Sequence, residues 1–434
     1  MQHHPGAPVA PPAPPRARRG ALLVLTGLSG GHGVFHWFIQ SFLVMLPNVQ
    51  ATFGLTPVQV GAITATREVA SGAITVPGGI VGDVFRRQWG VVLAACMGGF
   101  GLGWLLVGAS PVYPLLLAGV ALASMAASLW HLPAMASLSH RFAHRRGAAL
   151  SFHGVGGSLG DVVGPLLTGL LLAWVSWQGL LSVYAAVPLL LALVVFWAFR
   201  DIGQQGADDA AARPTLGGQL RETLRLFQHR LLLGVVAVAG LRAMAFVAFV
   251  TFLPLYIANE LGLGTEYVGA YISLLTLVGI FASPVLGYLS DRFGRKPVLV
   301  PSLLALSLLS LALMATGDSL VLFTVVVALL GVFLHSDQPI LHATALDLIG
   351  HHVATTTLGV FSFSRFALAG ASPLIAGKLY EAVGIHAAFA YAAGLFALAA
   401  LLFLPLRLAR PQASAAAAHR HGGGDAHDER PHGH

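Results

Sequence analysis

The sequence predicts an all-α membrane protein: twelve transmembrane helices in two six-helix pseudo-repeats. Three observations carry this. The 434 residues are 56% hydrophobic and only 9% charged, against about 25% charged in soluble domains. The charges are confined, leaving apolar runs of roughly 20 residues, the length that spans a bilayer. Finally, one spacing recurs. Gly54-Leu55 and Val60-Gly61-Ala62 reappear 208 positions later as Gly262-Leu263 and Val268-Gly269-Ala270. Pro165 and Gly169 become Pro373 and Gly377, and Asp83 becomes Asp291. A parallel repeat of this kind means two halves of like construction.

In chain order, residues 1–20 are Pro- and Ala-rich and have no apolar core, so a disordered tail is expected and not a signal peptide. Spans are expected at 21–48, 56–83, 89–109, 112–139, 147–174 and 179–199, forming the first bundle (21–199). A polar linker follows (200–230), in which 216–230 has the pattern of an amphipathic surface helix. The second bundle (231–408) has spans at 231–258, 266–290, 297–317, 319–349, 354–381 and 386–408. Residues 409–434 form a His-rich tail, with His419, His421, His427, His432 and His434 too irregular for a closed zinc site. The 51 glycines and 24 prolines would argue against helices in water. In a bilayer neighbouring helices re-satisfy the backbone.

Basic residues fix the expected orientation. Arg16, Arg18, Arg19, Arg86, Arg87, Arg141, Arg145, Arg146, Arg292, Arg295 and Lys296 all fall on one side, and only Lys378 lies near the other. Both termini are therefore expected in the cytoplasm, with the chain multi-pass in the inner membrane. The same bias explains the net charge of +7 without nucleic acid. Cys96 is the only cysteine, which leaves no disulfide framework and no thiolate metal site.

The stretch Gly287-Tyr-Leu-Ser-Asp291-Arg292-Phe-Gly294-Arg295-Lys296 reads as a helix end, a tight basic turn and a new helix. Gly287 is expected to let two helices approach closely, and Gly294 to turn the chain. A weaker copy runs Gly79-Ile-Val-Gly-Asp83-Val-Phe-Arg86-Arg87. The stretch resembles the signature loop of the major facilitator superfamily, and the resemblance extends over nearly the whole chain. It implies a secondary transporter whose two halves alternate access to a site between them.

Three arginines lie inside spans: Arg67, Arg242 and Arg365. Each costs roughly 2.5–3.5 kcal/mol at a helix centre, so each should have a partner or a task. In the first span His32, His36 and Gln40 recur every four residues and form one polar stripe. Arg67 and Glu68 are adjacent in the second span, point about 100° apart and are not expected to pair. In the fifth span Gly156, Gly160 and Gly164 form a small-residue ridge for close packing, and His153 and Asp161 share a face across Gly157. His131 precedes Pro133 in the fourth span, and Asp337 lies in the tenth. Intramembrane acids and histidines make proton relays, so Glu68, Asp161, His153 and Asp337 are the candidate proton carriers. Arg67, Arg242, Arg365, His32, His36, Gln40 and His131 are the candidate substrate contacts.

A narrower resemblance rests on the Gly-Gly-His of the first span, Gln40, Leu46-Pro47, His131 and the Arg146-Gly…Ser151-Phe…Gly156-Gly run. These resemble drug:proton antiporters of the fosmidomycin-resistance type. The match departs at His131-Leu-Pro133, which has an inserted residue, and at Asp161, which is additional. The resemblance implies proton-coupled efflux. The residues themselves suit a small organic anion or amphiphilic compound, with protons and the bilayer as the other partners and a monomer as the working unit. Uptake of an organic anion by symport, and a metal exporter collecting ions on the His-rich tail, remain open alternatives, as does a non-transporting receptor. No catalytic triad, phosphate loop or nucleotide motif is present, so neither an enzyme nor a cofactor is expected.

Asp83 and Asp291 are each expected to dock on a helix N-terminus of the opposite half, where the dipole attracts a carboxylate. Asp291→Asn should then abolish most transport while leaving folding and ligand binding intact. Asp83→Asn should be milder, because Val84 and Arg86 interrupt its copy. Wild-type transport by Asp291→Asn would reject the docking.

Overall fold

Gly54 and Gly262, 208 positions apart, adopt the same left-handed conformation, with φ of 59° and 63°. Each follows the end of a helix, where a residue without a Cβ turns the chain at least cost. The repeat is therefore a property of the backbone as well as of the letters. The computed structural model describes the backbone of residues 15–200, 202, 228–317, 319–349 and 354–408, and their side chains except at 15–19, 76, 79–84, 349 and 354–365. The tails, most of the linker with its expected surface helix, and the side chains of Gly79, Asp83 and Arg365 lie outside the described residues.

The described helices are α1 (Pro15–Phe53), α2 (Pro57–Val84), α3 (Trp89–Gly108), α4 (Tyr113–Arg141), α5 (Arg146–Leu171), α6 (Trp177–Ala198), α7 (Arg230–Leu255), α8 (Thr265–Phe293), α9 (Arg295–Met314), α10 (Leu320–Leu334), α11 (Asp337–Ile349), α12 (Ala354–Val383) and α13 (Ile385–Phe403). Among the described residues, ten helical stretches are long and apolar enough to cross a membrane. The 28 residues of α2 and the 30 of α12 have the length as well. The chain is thus multi-pass, and twelve spans follow once α10 and α11 are counted as one.

That tenth span is the exception to the expected pattern. The sequence reads 319–349 as one helix, whereas the chain breaks at His335–Ser336. Pro339 lies in the first turn of α11 and has no N–H to donate to the carbonyl of His335. A proline there suits a helix start and opposes a continuous helix.

The first half packs α1 on α5, and α3 between α4 and α6. The second packs α7 on α12 and α13, and α8 on α10. The expected glycine ridge lies against α1: an added Cβ on Gly164 would sit 2.9 Å from the Trp37 carbonyl, and one on Gly33 would sit 2.8 Å from that of Gly156. The halves meet mainly through two pairs, α2 with α12 and α5 with α8, with smaller contacts of α1 and α2 on α7 and of α1 on α8. Under the repeat the two main pairs are the same contact made twice. Gly61 faces the Pro373 carbonyl, and its counterpart Gly269 faces that of Pro165. Gly377 faces the Pro57 carbonyl, while a Cβ on Gly169 would lie 3.0 Å from the Cα of Gly269. Hydrogen bonds follow the same seam. The Val58 amide donates to Glu381 Oε1 (3.1 Å), Thr265 Oγ1 to the Gly169 carbonyl (3.0 Å) and Asn259 Nδ2 to Gln50 Oε1 (3.1 Å). Nearer the middle of the spans, Ser273 Oγ donates to the Val162 carbonyl (2.7 Å) and Thr251 Oγ1 to Thr64 Oγ1 (3.1 Å). The outer contacts lie at the helix ends away from the basic loops.

On the basic face the picture differs. Gly287 does not mediate a close approach: a Cβ there would meet nothing within 4 Å. The close contacts of α8 are made earlier in the helix, at Gly269 and Gly279, where neighbouring backbone or side chains fill the space. Gly294 does turn the chain, with φ of 101°. The first copy has Arg86 at that place and uses a short 3₁₀ turn, Arg86–Gln88, which carries Arg87. Arg295 gathers its own half. Its Nε donates to Asp347 Oδ2 (2.9 Å), and its Nη1 donates to Ser290 Oγ (2.8 Å) and to Asp291. Arg292 lies against the Phe293 ring at 5.4 Å. In this state Asp291 is therefore held by Arg295 and not by the N-terminus of α5.

The seam gives a direct test. In Gly61→Ala/Gly269→Ala each methyl meets a backbone carbonyl, and such overpacking costs about 1–3 kcal/mol. The halves should part on that face. A cysteine at Val58, read against the buried Cys96, should react severalfold faster with a hydrophilic maleimide in the double mutant. An unchanged rate would show that these contacts do not hold the seam.

Candidate functional site

Between the halves lies a cavity of about 540 Å³. Phe100, Trp104, Phe246 and Phe366 give it an aromatic wall, drawn from both halves. Its polar wall comes mainly from the first half: His36 and Gln40 on α1, Arg67 and Glu68 on α2, His131 on α4 and Asp161 on α5. Helical spacing explains the set. His36 and Gln40 follow each other by one turn, as do Glu68, Ser71 and Thr75 on α2. Thr276 and His335 face them from the second half.

The α1 stripe and the α5 stripe lock together. His36 Nδ1 lies 2.8 Å from Asp161 Oδ1, and His32 Nδ1 lies 2.9 Å from the carbonyl of His153. The His32 and His153 rings stack at 4.2 Å with an interplanar angle of 4°. Gly157 makes the room: a Cβ there would be 2.7 Å from His32 Cε1 and 3.2 Å from His36 Cδ2. His131 Nδ1 donates to the Ala127 carbonyl one turn back (2.6 Å), and its ring centre is 5.0 Å from that of His32. The His32 and His153 rings both lie near-parallel to that of Trp130, at 6.4 and 5.9 Å, and His32 sits behind the cavity wall.

Arg67 and Glu68 pair, against the expectation from their positions. Arg67 Nη2 donates to Glu68 Oε1 at 2.9 Å. Their Cβ directions do diverge, but the long arginine side chain folds round to reach its neighbour. Away from water, the attraction of opposite charges outweighs the lost rotamer freedom. Glu68 Oε2 is buried and has no hydrogen-bond partner among the described residues.

Arg242 and Asp337 do not line the cavity. They form a buried ion pair, with Arg242 Nε 2.9 Å from Asp337 Oδ2 and Nη2 2.7 Å from Oδ1. The same guanidinium donates to the Leu334 carbonyl, reaches Gln338 Oε1 at 3.5 Å and lies 4.7 Å from the Phe246 ring centre. Leu334 ends α10, so the arginine satisfies a carbonyl in the turn where the tenth span breaks.

A family model described as the Major Facilitator Superfamily matches residues 28–372 and, in a second match, 281–426. The chain belongs to the major facilitator superfamily. It is accordingly a membrane transporter and not an enzyme. This facilitator is 24% identical to the fosmidomycin resistance protein of Escherichia coli over 389 residues, 88% of this chain and 92% of that one. It is 27% identical to a probable 4-methylmuconolactone transporter of Cupriavidus pinatubonensis, with 84% of each chain covered. Among solved structures, its fold is similar to that of a bacterial homolog of the human lysosomal transporter Spinster (TM-score 0.70, 16% identity, 92% of this chain and 100% of that one). It is also similar to a D-xylose–proton symporter (TM-score 0.70, 14% identity, 90% and 98%).

Of the candidate residues read from the sequence, the facilitator's cavity brings together His36, Gln40, Arg67, Glu68, His131 and Asp161. His32 and His153 pack behind them, and Arg242 with Asp337 stands apart. The aromatic wall and His335 were not singled out as site residues. Phenylalanine and tryptophan at helical spacing read as core, and only the facing of the two halves turns them toward a cavity.

The buried pair yields a stability prediction. Removing one partner strands a charge, at a cost of about 3–5 kcal/mol, so Arg242→Gln and Asp337→Asn should each lower the unfolding midpoint in detergent sharply. Arg242→Met/Asp337→Leu should recover most of the loss but not all, because the Leu334 carbonyl stays unpaired. If the double mutant is as unstable as the sum of the singles, the pair is not the source of the effect.

Proposed function

We propose that this secondary transporter exports small amphiphilic, drug-like compounds in exchange for protons, with Glu68 as the residue at which cargo and proton compete. The observation that carries this is Glu68 Oε2, buried without a hydrogen-bond partner among the described residues, on a side chain that lines a cavity with an aromatic wall. An amphiphile places its apolar body against Phe100, Trp104 and Phe366 and donates a hydrogen bond or positive charge to that oxygen. A proton on Glu68 removes the acceptor and releases the cargo. Mutually exclusive occupancy is what exchange requires. Asp161, held by His36, is the second candidate acid. The bias of the basic loops supports a cytoplasmic location for both termini; in that orientation the cavity, closed by the seam on the far side, loads from within. The resemblance to a protein named for fosmidomycin resistance supports export.

One observation favours a second reading. Arg67 is neutralised by Glu68 through Oε1. A proton on Glu68 frees the guanidinium, which binds carboxylate or phosphonate groups in bidentate geometry. Proton and organic anion would then bind together, which makes a symporter, with Arg365 as the further cation that remains from the sequence reading.

Vesicles with an imposed pH gradient separate the two. A ligand-stabilisation screen of the purified protein against amphiphilic drugs and organic acids first identifies a binder, since binding protects the folded state. Under exchange the binder moves against the proton, and under symport with it. Under symport Glu68→Gln, which mimics the protonated acid, should retain counterflow at equal pH and lose gradient-driven transport; under exchange it should lose both, because the cargo's acceptor is gone. Arg67→Lys should weaken an organic acid strongly and an uncharged amphiphile little. Full gradient-driven transport by Glu68→Gln would remove Glu68 from the mechanism.

A further inference from the structure

The structure assigns a second ligand to the cavity: we propose that His32, His36 and His131 bind a divalent transition-metal ion of the zinc, nickel or cobalt type. One ring nitrogen from each of the three lies within 4.8 Å of those of the other two. A tetrahedral ion with bonds of about 2.0–2.1 Å needs its nitrogens roughly 3.4 Å apart, so small side-chain rotations close the site.

What distinguishes this trio from packed histidines is the way each ring is anchored. His32 Nδ1 bonds the His153 carbonyl, His131 Nδ1 the Ala127 carbonyl and His36 Nδ1 the Asp161 carboxylate, at 2.9, 2.6 and 2.8 Å. A carbonyl oxygen only accepts, so in the first two rings Nδ1 carries the hydrogen. Each ring then keeps Nε2 and its lone pair for a ligand. Imidazoles with one nitrogen donated to a carbonyl or carboxylate are the usual outer arrangement of a metal site, which fixes the tautomer and the ring plane. Asp161 also supplies a negative charge beside the ion. Stacking on His153 and the space left by Gly157 hold His32 and His36 in place without blocking the trio.

The donor set defines the ligand. Imidazole selects borderline transition metals over magnesium or calcium, which take oxygen. Three protein ligands leave a fourth position, and His36 and His131 present it to the cavity, where water or an oxygen of the cargo completes the coordination. All three histidines and Asp161 belong to the first half. The site therefore stays assembled when the halves move against each other, and the ion travels with one half and does not tie the two together.

The test uses metal alone and the full-length chain. His419→Ala, His421→Ala, His427→Ala, His432→Ala and His434→Ala are introduced together to silence the tail. Calorimetric titration with zinc chloride should still show one tight equivalent. Cobalt(II) should give the intense visible absorption of a four-coordinate ion. His36→Gln and His131→Gln should each weaken zinc at least tenfold. Asp161→Asn should weaken it by about 10–100-fold, the usual cost of losing an outer-shell partner, with no ligand removed. The proposal is overturned if zinc binding disappears with the tail histidines, if His36→Gln and His131→Gln bind zinc like the parent, or if cobalt shows only the weak spectrum of a six-coordinate ion. The spectrum of the tail-silenced chain decides the matter even where a variant of His36 or His131 fails to fold.

Discussion

Inside a bilayer a buried polar atom has no water to turn to, and every such atom must be answered by another part of the protein. Much of this structure follows from that constraint. The tenth span breaks at His335–Ser336, and Arg242 reaches in from α7 to take the Leu334 carbonyl while Asp337 takes the arginine's charge. His32, His36 and His131 each place Nδ1 on a carbonyl or carboxylate. Arg67 bends back on its neighbour because the nearest carboxylate is better than none. Glu68 Oε2, one of several buried polar atoms without a hydrogen-bond partner among the described residues, belongs to a side chain that lines a cavity. That is where an unmet polar group is useful and not merely costly.

The second organising feature is the repeat, which makes one contact serve twice. Gly61 on the Pro373 carbonyl and Gly269 on the Pro165 carbonyl close the seam at two symmetric places. Both are backbone-to-backbone approaches that only glycine permits. Such a seam can separate and re-form without repacking large side chains, which suits two halves that rock about a central site. The basic face has a different economy. There Arg295 ties Asp291, Ser290 and Asp347 together within one half, leaving the halves free to part. The two copies of the loop are not equivalent, since Gly294 turns one with positive φ and Arg86 stands in its place in the other.

Legibility followed the range of the interaction. Hydropathy, the 208-residue offset and the turn chemistry of Gly54, Gly262 and Gly294 are local or periodic signals, and they give the spans, the repeat and the superfamily. The four-residue spacing of His32, His36 and Gln40 and the ridge of Gly156, Gly160 and Gly164 likewise show which faces of α1 and α5 are special. Pro339 carried the break of the tenth span in plain view, but a proline in an apolar run is so well tolerated in membranes that its consequence depends on what fills the gap.

The sequence by itself therefore determined an all-α, twelve-span facilitator with charged and imidazole groups inside its spans, because burial in hydrocarbon imposes those patterns on any chain. Only the tertiary structure decided which of those groups meet. That Arg242 is consumed by Asp337, that Arg67 turns to Glu68, that Gly287 touches nothing and that His131 joins His32 and His36 are facts about distances between helices. Those distances come from side chains and glycines packing across as many as a hundred or more residues of sequence, and no periodicity along one helix encodes them.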